Sequence, residues 1–407
     1  MLKLITPANP RNYWAYTAIL CLFAGLIFSR SLYSVGLLLM AFYWFLHENK
    51  TGLWRNVWFV SMLAFAAIVP IFDVINGTSI DGSFFIKLSL PLFPLFFFSW
   101  KKKKKEITIM TTIIMAVLGL TALHAVVTYL ADSEAAHIAY GQARVMQVGL
   151  YHDHIRISVA MALSIVLAIY AAGNQTNNLL KMIFWVYGVL MIFFLHVLMA
   201  RTGLVVLYIS LAVLVMGMMW QNHKKWVIAT WAVLVLLPFI AYQVLPSFKQ
   251  RVDYARYDYS YYSKMEYRTG SSDGFRFYSW MSGWDAFAKQ PLRGVGYKGL
   301  HKVNKDWFVK HFPAIKVEEI IQPSSELLLN AAAAGVVGFM VFLVFALAPW
   351  WDGRLRLHPI FMAVYSGLAA TWLFEILPEN QYGIFITGFF LSWAWWVAAG
   401  KEEITQH

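Results

Sequence analysis

Long apolar runs separated by short polar connections make up most of this chain. A membrane-spanning helix needs roughly 20 predominantly apolar residues, and the pattern predicts about twelve such helices. Their approximate bounds are 13–29, 31–47, 55–73, 84–100, 107–131, 155–172, 179–200, 203–220, 225–244, 327–350, 358–375 and 380–399. The pattern therefore predicts an all-α polytopic membrane protein, and we find no internal repeat that relates one half of the chain to the other.

The longest polar segment, residues 245–326, lies between the ninth and tenth predicted spans. We expect it to form a loop inserted into one integrated membrane domain. Residues 1–244 then carry the first nine spans, and residues 327–407 carry the last three. We expect the residues that act on a substrate to lie in this loop and at the helix ends beside it.

An aromatic pattern inside the loop predicts a helix. Phe277, Trp280, Trp284 and Phe287 recur at steps of three and four residues, which places them on one helical face. Pro291 is expected to end this helix. We expect the aromatic stripe to pack against the membrane domain, and a platform for a ligand is the alternative.

The basic residues of the connections indicate how the chain is oriented. Lys and Arg fall mainly in alternate connections, and such residues are retained on the cytoplasmic side of a membrane. The connection after the third predicted span, residues 74–83, contains neither Lys nor Arg. We therefore expect both termini in the cytoplasm and the loop 245–326 on the opposite side.

Composition and charge exclude two other classes of protein. The 407 residues are 60% hydrophobic and 13% charged, whereas about a quarter of the residues in soluble domains are charged. The formal net charge is +12, but residues 101–105 are all lysines beside a predicted span. A run at that position favours an anchor on anionic membrane lipids over a nucleic-acid site. We therefore expect membrane lipids, and no nucleic acid, among the partners.

Basic side chains at the non-cytoplasmic ends of the predicted spans are candidates for a binding site. Arg201 interrupts an apolar run, where a guanidinium is costly and usually functional; snorkelling to the interface is the alternative. Lys87, Arg156 and Arg276 lie on the same side. Arginine presents a rigid donor fork that suits phosphate. We therefore expect these cations to converge on an anion, and a lipid-linked diphosphate is the obvious candidate.

Two further groups of side chains have more than one interpretation. His152 and His154 are spaced two residues apart, which is a weak metal signal without a further ligand. We therefore expect no metal and no cofactor, and we interpret His154 as orienting Arg156 or an acceptor hydroxyl. The tyrosines in 254–267 fit either stacking on sugar rings or an aromatic belt at the membrane interface.

Three segments together resemble the O-antigen ligase and O-antigen polymerase superfamily, which are integral inner-membrane glycosyltransferases of bacteria. Ala-Arg-Thr-Gly at 200–203 is similar to the family's Arg-Ser/Thr-Gly turn. Arg276 and Trp280, followed by Pro-Leu-Arg-Gly-Val-Gly at 291–296, resemble its Arg-x3-Trp helix and Pro-x-x-Gly-x-Gly turn. Pro-Ser-Ser-Glu at 323–326 resembles its His-Asn-x-x-Leu segment, which leads into a glycine-bearing helix.

A fourth segment, the His-Ile-Arg sequence ending at Arg156, is similar to members from the Bacteroidota. The resemblance implies a GT-C-like fold in the inner membrane, with the active site facing the periplasm. It also implies that Arg201 and Arg276 engage the diphosphate of an undecaprenyl-diphosphate-linked glycan and stabilise it as the leaving group, without a metal ion. The acceptor then attacks from the opposite face, which inverts the anomeric centre. The other candidates for binding the diphosphate or the glycan are Lys87, His152, Arg156, Gln322, Ser324 and Ser325.

The acceptor is open among three kinds of molecule. A ligase of this superfamily transfers the glycan to lipid A-core, a polymerase transfers it to another lipid-linked repeat, and a related oligosaccharyltransferase transfers it to protein hydroxyls. We favour the ligase because the chain is short and its one extended polar region is the loop 245–326.

One departure from the family pattern concerns the base. The family histidine falls at Ser324 or nearby, and its companion asparagine falls at Ser325. Serine is a poor proton acceptor at neutral pH. Glu326 and His154 are the leading replacements, with Glu375 behind them; alternatively, departure of the leaving group dominates, or the chain is inactive or performs a divergent transfer.

Two rival functions belong to other classes of protein. A transporter or flippase of lipid-linked oligosaccharides predicts two related halves and ionisable residues near the membrane midplane. The sequence shows cations near one face and no repeated halves. A non-catalytic partner in polysaccharide export is the other rival, and the missing histidine keeps it open.

Overall fold

The computed structural model describes residues 12–47, 52–131, 148, 153–219 and 224–399. The longer helices are α1 (Asn12–Phe28), α2 (Arg30–Leu46), α3 (Val57–Ile75), α4 (Ser83–Lys87), α5 (Leu92–Ser99), α6 (Lys104–Ala131), α7 (His154–Gly173), α8 (Asn178–Leu198) and α9 (Arg201–Met219). They continue with α10 (Lys224–Val244), α11 (Pro246–Tyr262), α12 (Ser272–Lys289), α13 (Tyr297–His311), α14 (Glu326–Leu347), α15 (Gly353–Arg356), α16 (Pro359–Thr371) and α17 (Gln381–Ala399). The described part contains no strand, so the all-α prediction is confirmed.

The predicted spans correspond to helices throughout the described ranges. Eight of these helices are long and apolar enough to cross a membrane, namely α3, α6, α7, α8, α9, α10, α14 with its extension to Trp351, and α17. The other four predicted spans correspond to shorter apolar helices at Asn12–Phe28, Arg30–Leu46, Ser83–Ser99 and Pro359–Thr371. The protein is therefore a polytopic helical membrane protein, and the total of twelve spans and their orientation stay predictions.

Two of the shorter segments differ from their predicted bounds. The predicted span 84–100 consists of α4 and α5, which are separated by a turn that contains Pro91. Proline lacks an N–H and cannot continue the helical hydrogen-bond ladder. The predicted span 358–375 is helical only to Thr371, and a turn at 372–379 follows it. This turn contributes two carboxylates to the sites described below.

The most buried helices form the centre of the bundle. In the apolar stretch of α17, 89% is buried, and in that of α7, 78% is buried. α7 packs against α6, α8 and α9, and α17 packs against α5 and α16. α10 lies at the edge of the bundle, and 11% of its apolar stretch is buried. Apolar side chains on such an edge helix suit contact with lipid, because the bilayer core is itself apolar.

The predicted loop folds into helices α11 to α13 on one side of the bundle. α11 packs against α10 and α12, and α12 packs against both α13 and α14. The expected packing of the aromatic stripe is wrong, because Trp284 is 62% exposed and the buried face of α12 is a different one. That face contains Ser279, Ser282 and Gly283. Small residues such as these allow two helices to approach closely.

A backbone junction joins the loop to α14. The helix is interrupted at Ala334 and Gly335, and the turn at 291–296 fits into the gap. The N–H groups of Val295 and Gly296 donate to the carbonyls of Ala332 and Ala333 at 3.1 and 2.8 Å. These bonds satisfy carbonyl groups that the interrupted helix leaves without a partner.

Glycine is required on both sides of this junction. A Cβ on Gly294 would lie 2.4 Å from the carbonyl oxygen of Ala333, and a Cβ on Gly335 would lie 2.5 Å from that of Pro291. Both glycines also have φ of +63°, which L-residues with side chains rarely adopt. The Pro-x-x-Gly-x-Gly turn recognised in the sequence is therefore a close contact between two backbones.

We predict that Gly294→Ala destabilises the protein. The strained backbone alone costs on the order of 1–3 kcal/mol, and the contact with Ala333 adds to that cost. Thermal unfolding of the purified protein in detergent should show a lower midpoint. Gly299→Ala is the matched control, since a Cβ there meets only Thr78 at an ordinary 3.9 Å. Equal midpoints for the two variants would show that the junction does not need a glycine at 294.

Candidate active site

A tight turn between α8 and α9 places Arg201 at a helix N-terminus. α8 ends at Leu198, and Met199 follows in the left-handed conformation (φ 53°), with its N–H donating to Leu195 O at 3.1 Å. Such a residue terminates a helix by satisfying a carbonyl that lacks an intrahelical partner. α9 begins at Arg201. The positive end of its helix dipole favours a nearby anion.

The start of α12 carries two more charged residues. Ser271 caps the helix by accepting a hydrogen bond from the N–H of Gly274 at 3.1 Å. Asp273 lies in the first turn of α12, where the helix dipole favours an acidic residue. Arg276 follows three residues later, so it lies on the same side of the helix as Asp273.

Two ion pairs join these helices to each other and to the turn at 372–379. Arg201 Nη1 lies 2.5 Å from Asp273 Oδ2, which connects α9 with α12. Arg276 forms an ion pair with Glu375, and Thr202 donates a hydrogen bond to the same carboxylate at 3.1 Å. Each arginine is therefore held by a carboxylate from another element of the fold.

Both arginines line one cavity of about 330 Å³. Small-molecule sites usually occupy roughly 300–1,000 Å³, so the cavity is at the small end of that range. Its walls combine charged and aromatic side chains. The lining residues are Arg201, Thr202, Val205, Tyr262, Asp273, Arg276, Phe277, Trp280 and Phe374.

A third arginine lies beside the other two. Arg251 of α11 is 7% exposed, and its guanidinium faces the ring of Tyr254 at 5.7 Å. Burial, together with the positive charges of Arg201 and Arg276, lowers the pKa of Arg251 to about 10. Three basic groups therefore raise the positive potential around the cavity. The sequence analysis missed Arg251 because it lies in a polar helix with many other charges.

Lys87 and Glu326 belong to a second buried polar cluster. Lys87 is fully buried, and its ammonium group pairs with Glu379. Glu326 is also fully buried, and its Oε2 accepts a hydrogen bond from Asn330 Nδ2 at 3.3 Å. Tyr297 donates to the amide oxygen of Asn330 at 2.6 Å. Neither Lys87 nor Glu326 lines the arginine cavity, so the expected convergence of Lys87 with the arginines is wrong.

The serines at the predicted histidine and asparagine positions make structural contacts. The N–H of Ser324 donates to Ser279 Oγ at 3.0 Å, and Trp280 Nε1 donates to the Ser324 carbonyl at 3.1 Å. Ser325 Oγ donates to the carbonyl of Trp372 at 3.3 Å. Both serines are 6–7% exposed. They tie the segment before α14 to α12 and to the turn at 372–379.

Gln322 contacts a histidine that the sequence analysis did not single out. Its Nε2 lies 3.0 Å from His301 Nδ1, and His301 Nε2 lies 3.2 Å from Asp81 Oδ2. The hydrogen bond with His301 lowers the pKa of the Asp81 carboxyl far below its usual range. No sequence signal relates these residues, because the loop of Asp81 and the helix of His301 lie far apart in the chain.

The remaining candidates lie at the start of α7. Asp153 caps this helix, and its Oδ1 lies 3.3 Å from Arg156 Nη1. His154 is the first residue of α7. Arg156 and His154 are not among the residues that line the arginine cavity. His152 lies outside the described residues.

Comparison with known families adds an independent finding. Residues 186–343 match the family model described as O-antigen ligase. This segment is therefore similar to the O-antigen ligase family. It begins within α8 and ends within α14, so it contains Arg201, Arg276 and the glycine junction. A comparison with curated proteins gives no match.

The match confirms the resemblance to the O-antigen ligase and polymerase superfamily over these residues, and the relation to Bacteroidota members stays a prediction. It supports a glycosyltransferase of the ligase or polymerase type. Part of the arginine cavity lies beyond the matched segment. Phe374 and Glu375 come from the turn at 372–379, which follows the matched segment.

The sequence carried a signal for both carboxylates that pair with the arginines. Glu375 lies in an apolar predicted span, and such charged residues usually mark a function. Asp273 precedes Arg276 by three residues, a spacing at which helical side chains interact. The pairing of these carboxylates with particular arginines depends on the tertiary fold.

We predict that Lys87→Met and Glu379→Gln are each strongly destabilising. Removing one partner from a buried ion pair leaves an unpaired buried charge, which costs about 3–5 kcal/mol. The double variant should lose much less stability than the sum of the two single losses. Thermal unfolding of all four proteins in detergent measures this coupling.

Lys305→Met is the control for the loss of a lysine, because Lys305 is exposed on α13. Its unfolding midpoint should equal that of the wild type. Strictly additive losses for Lys87→Met and Glu379→Gln would show that the two side chains do not act as a pair.

Proposed function

We propose that this protein is a membrane glycosyltransferase of the O-antigen ligase type. It transfers a glycan from undecaprenyl diphosphate to an acceptor at the periplasmic face of the bacterial inner membrane. The observation that carries the proposal is the joint position of Arg201 and Arg276 in one cavity, with both arginines in the segment that matches the O-antigen ligase family.

The charge of the cavity suits the leaving group. When the bond between the anomeric carbon and the diphosphate breaks, negative charge develops on the departing oxygen. Preorganised cations aimed at that position lower the barrier. Arg201 and Arg276 are such cations, and the N-terminus of α9 adds a favourable dipole. The proposed mechanism requires no metal ion, since the guanidinium groups supply the positive charge.

The aromatic walls suit the rest of the donor. Tyr262, Phe277, Trp280 and Phe374 line the cavity beside the arginines. Binding sites commonly combine apolar and aromatic walls with a few polar groups that fix orientation. We assign the diphosphate to the arginine side and the first sugar to the aromatic side. Phe277 and Trp280 then have the ligand role that the sequence analysis kept as the alternative for the aromatic stripe.

The extent of the polar region supports one kind of acceptor. We favour lipid A-core, as in a ligase, because the extended polar region among the residues that the structure describes consists of α11–α13 and their connections. A polymerase or a protein O-oligosaccharyltransferase uses the same donor chemistry. Assays with each acceptor class therefore separate these functions.

We predict that Arg201→Ala and Arg276→Ala each reduce transfer by at least about 100-fold, as expected for the loss of one group that stabilises a developing negative charge. The assay uses purified protein in vesicles with an undecaprenyl-diphosphate-linked glycan and lipid A-core, and it measures release of undecaprenyl diphosphate. Both variants should reach the wild-type level in the membrane.

Arg256→Ala is the matched control, because the Arg256 side chain is 73% exposed on α11. It should transfer at the wild-type rate. Wild-type turnover in Arg201→Ala and Arg276→Ala would refute the proposed site. Appearance of the donor in the opposite leaflet without a new glycosidic bond would identify a flippase instead.

A further inference from the structure

The carboxylate of Glu375 contacts two residues of the cavity through a single oxygen. Its Oε1 accepts the hydrogen bond from Thr202 and also pairs with Arg276. Its Oε2 accepts no hydrogen bond from the part of the chain that the structure describes. The side chain is 7% exposed, although both of its partners line the cavity. Oε1 therefore anchors the carboxylate, and Oε2 has no donor among the residues that the structure describes.

The turn that carries Glu375 is bonded to the segment before α14. Its N–H donates to Thr371 O at 2.7 Å, which fixes the turn to the end of α16. In the same turn, the Trp372 carbonyl accepts from Ser325 Oγ and from the N–H of Glu326 at 3.3 and 2.9 Å. The turn of Glu375 is therefore bonded to the segment in which Ser324 and Ser325 replace the family's histidine and asparagine.

A donor diphosphate changes the charge balance of the ion pair between Arg276 and Glu375. Arg201 and Arg276 are each matched by one carboxylate, Asp273 and Glu375. A diphosphate diester adds negative charges at the same guanidinium groups, and like charges at such short range repel. Arg276 cannot keep its full contact with Glu375 and also serve the leaving group. Binding of the donor thus draws Arg276 away from Glu375 and leaves the carboxylate available for a proton from the acceptor.

We propose that Glu375 is the proton acceptor for the transfer reaction. This inference rests on the proposed function. The acceptor oxygen forms a bond with the anomeric carbon, while the bond between that carbon and the diphosphate breaks and its electron pair leaves with the diphosphate. The acceptor's hydroxyl proton moves to Oε2 of Glu375. Arg276 then pairs with undecaprenyl diphosphate, and the protonated Glu375 no longer competes for it.

Asp273 is the other carboxylate at the cavity, so the experiment compares the two. The variants are Glu375→Gln, Glu375→Asp and Asp273→Asn. Asp285→Asn is the matched control on α12, because Asp285 forms an exposed pair with Lys289. Two quantities are measured for each protein, the affinity for undecaprenyl diphosphate and the rate of transfer under saturating donor as a function of pH.

Glu375→Gln should bind undecaprenyl diphosphate at least as tightly as the wild type, because a competing negative charge is removed. Its transfer rate should fall by about 100- to 10,000-fold, as is typical for loss of a general base. In the wild type, we expect the transfer rate to rise with pH as the base loses its proton. This rise should be absent in Glu375→Gln. Asp273→Asn should keep that rise, and Asp285→Asn should match the wild type in both measurements.

Glu375→Asp guards against a folding defect in the amide variant. It keeps the negative charge for Arg276 but withdraws the carboxylate from the acceptor, so we expect a lower kcat with an unchanged KM for the donor. Wild-type kcat in Glu375→Asp and Glu375→Gln would overturn the inference. A pH dependence lost in Asp273→Asn instead would assign the proton to Asp273 and would also overturn it.

The proposed function fails in a different way. If the wild-type protein neither binds undecaprenyl diphosphate nor releases it with any acceptor class, both proposals are refuted. If the wild type transfers and Glu375→Gln transfers equally well, only the role of Glu375 is refuted.

Discussion

The cost of placing charged side chains in an apolar bundle constrains the whole candidate site. A charge removed from water is tolerated when it is paired and hydrogen-bonded. Arg201 pairs with Asp273, Arg276 pairs with Glu375, and Lys87 pairs with Glu379. These pairs connect α9 with α12, α12 with the turn at 372–379, and the same turn with α4. Ionic contacts therefore fix the relative positions of helices that are distant in the chain.

The backbone junction adds a second constraint. The turn at 291–296 donates two hydrogen bonds to the interrupted helix α14, and the glycines allow the two backbones to meet. Because α12 ends immediately before this turn, its far end is fixed to α14, while its first turn is fixed by the ion pair of Asp273. Arg276 is thus presented by a helix that is anchored at both ends. Such preorganisation is what electrostatic stabilisation of a developing charge requires.

The interactions that stabilise the arginines also compete with an anionic ligand. The carboxylates of Asp273 and Glu375 already pair with the two guanidinium groups, so an anion that binds these arginines has to compete with them. In the proposed reaction this competition has a use, because a carboxylate displaced from Arg276 is close to the acceptor and can take its proton. Both arginines lie in the segment that matches the O-antigen ligase family, and Glu375 lies in the turn at 372–379, beyond that segment. The site therefore also requires a turn from outside the matched segment.

The sequence by itself determined the helical membrane character, because long apolar runs have few alternative structures in a bilayer. It also indicated Arg201 and Arg276, since charges in apolar surroundings and the motif at 200–203 are local features. Tertiary structure alone decided which cations meet: Lys87 pairs with Glu379 in a separate cluster, whereas Arg251 joins the two arginines. It also decided that the buried face of α12 is not the predicted stripe of Phe277, Trp280, Trp284 and Phe287. These outcomes depend on which helices pack together, and contacts between residues so far apart in the chain leave no trace in local periodicity.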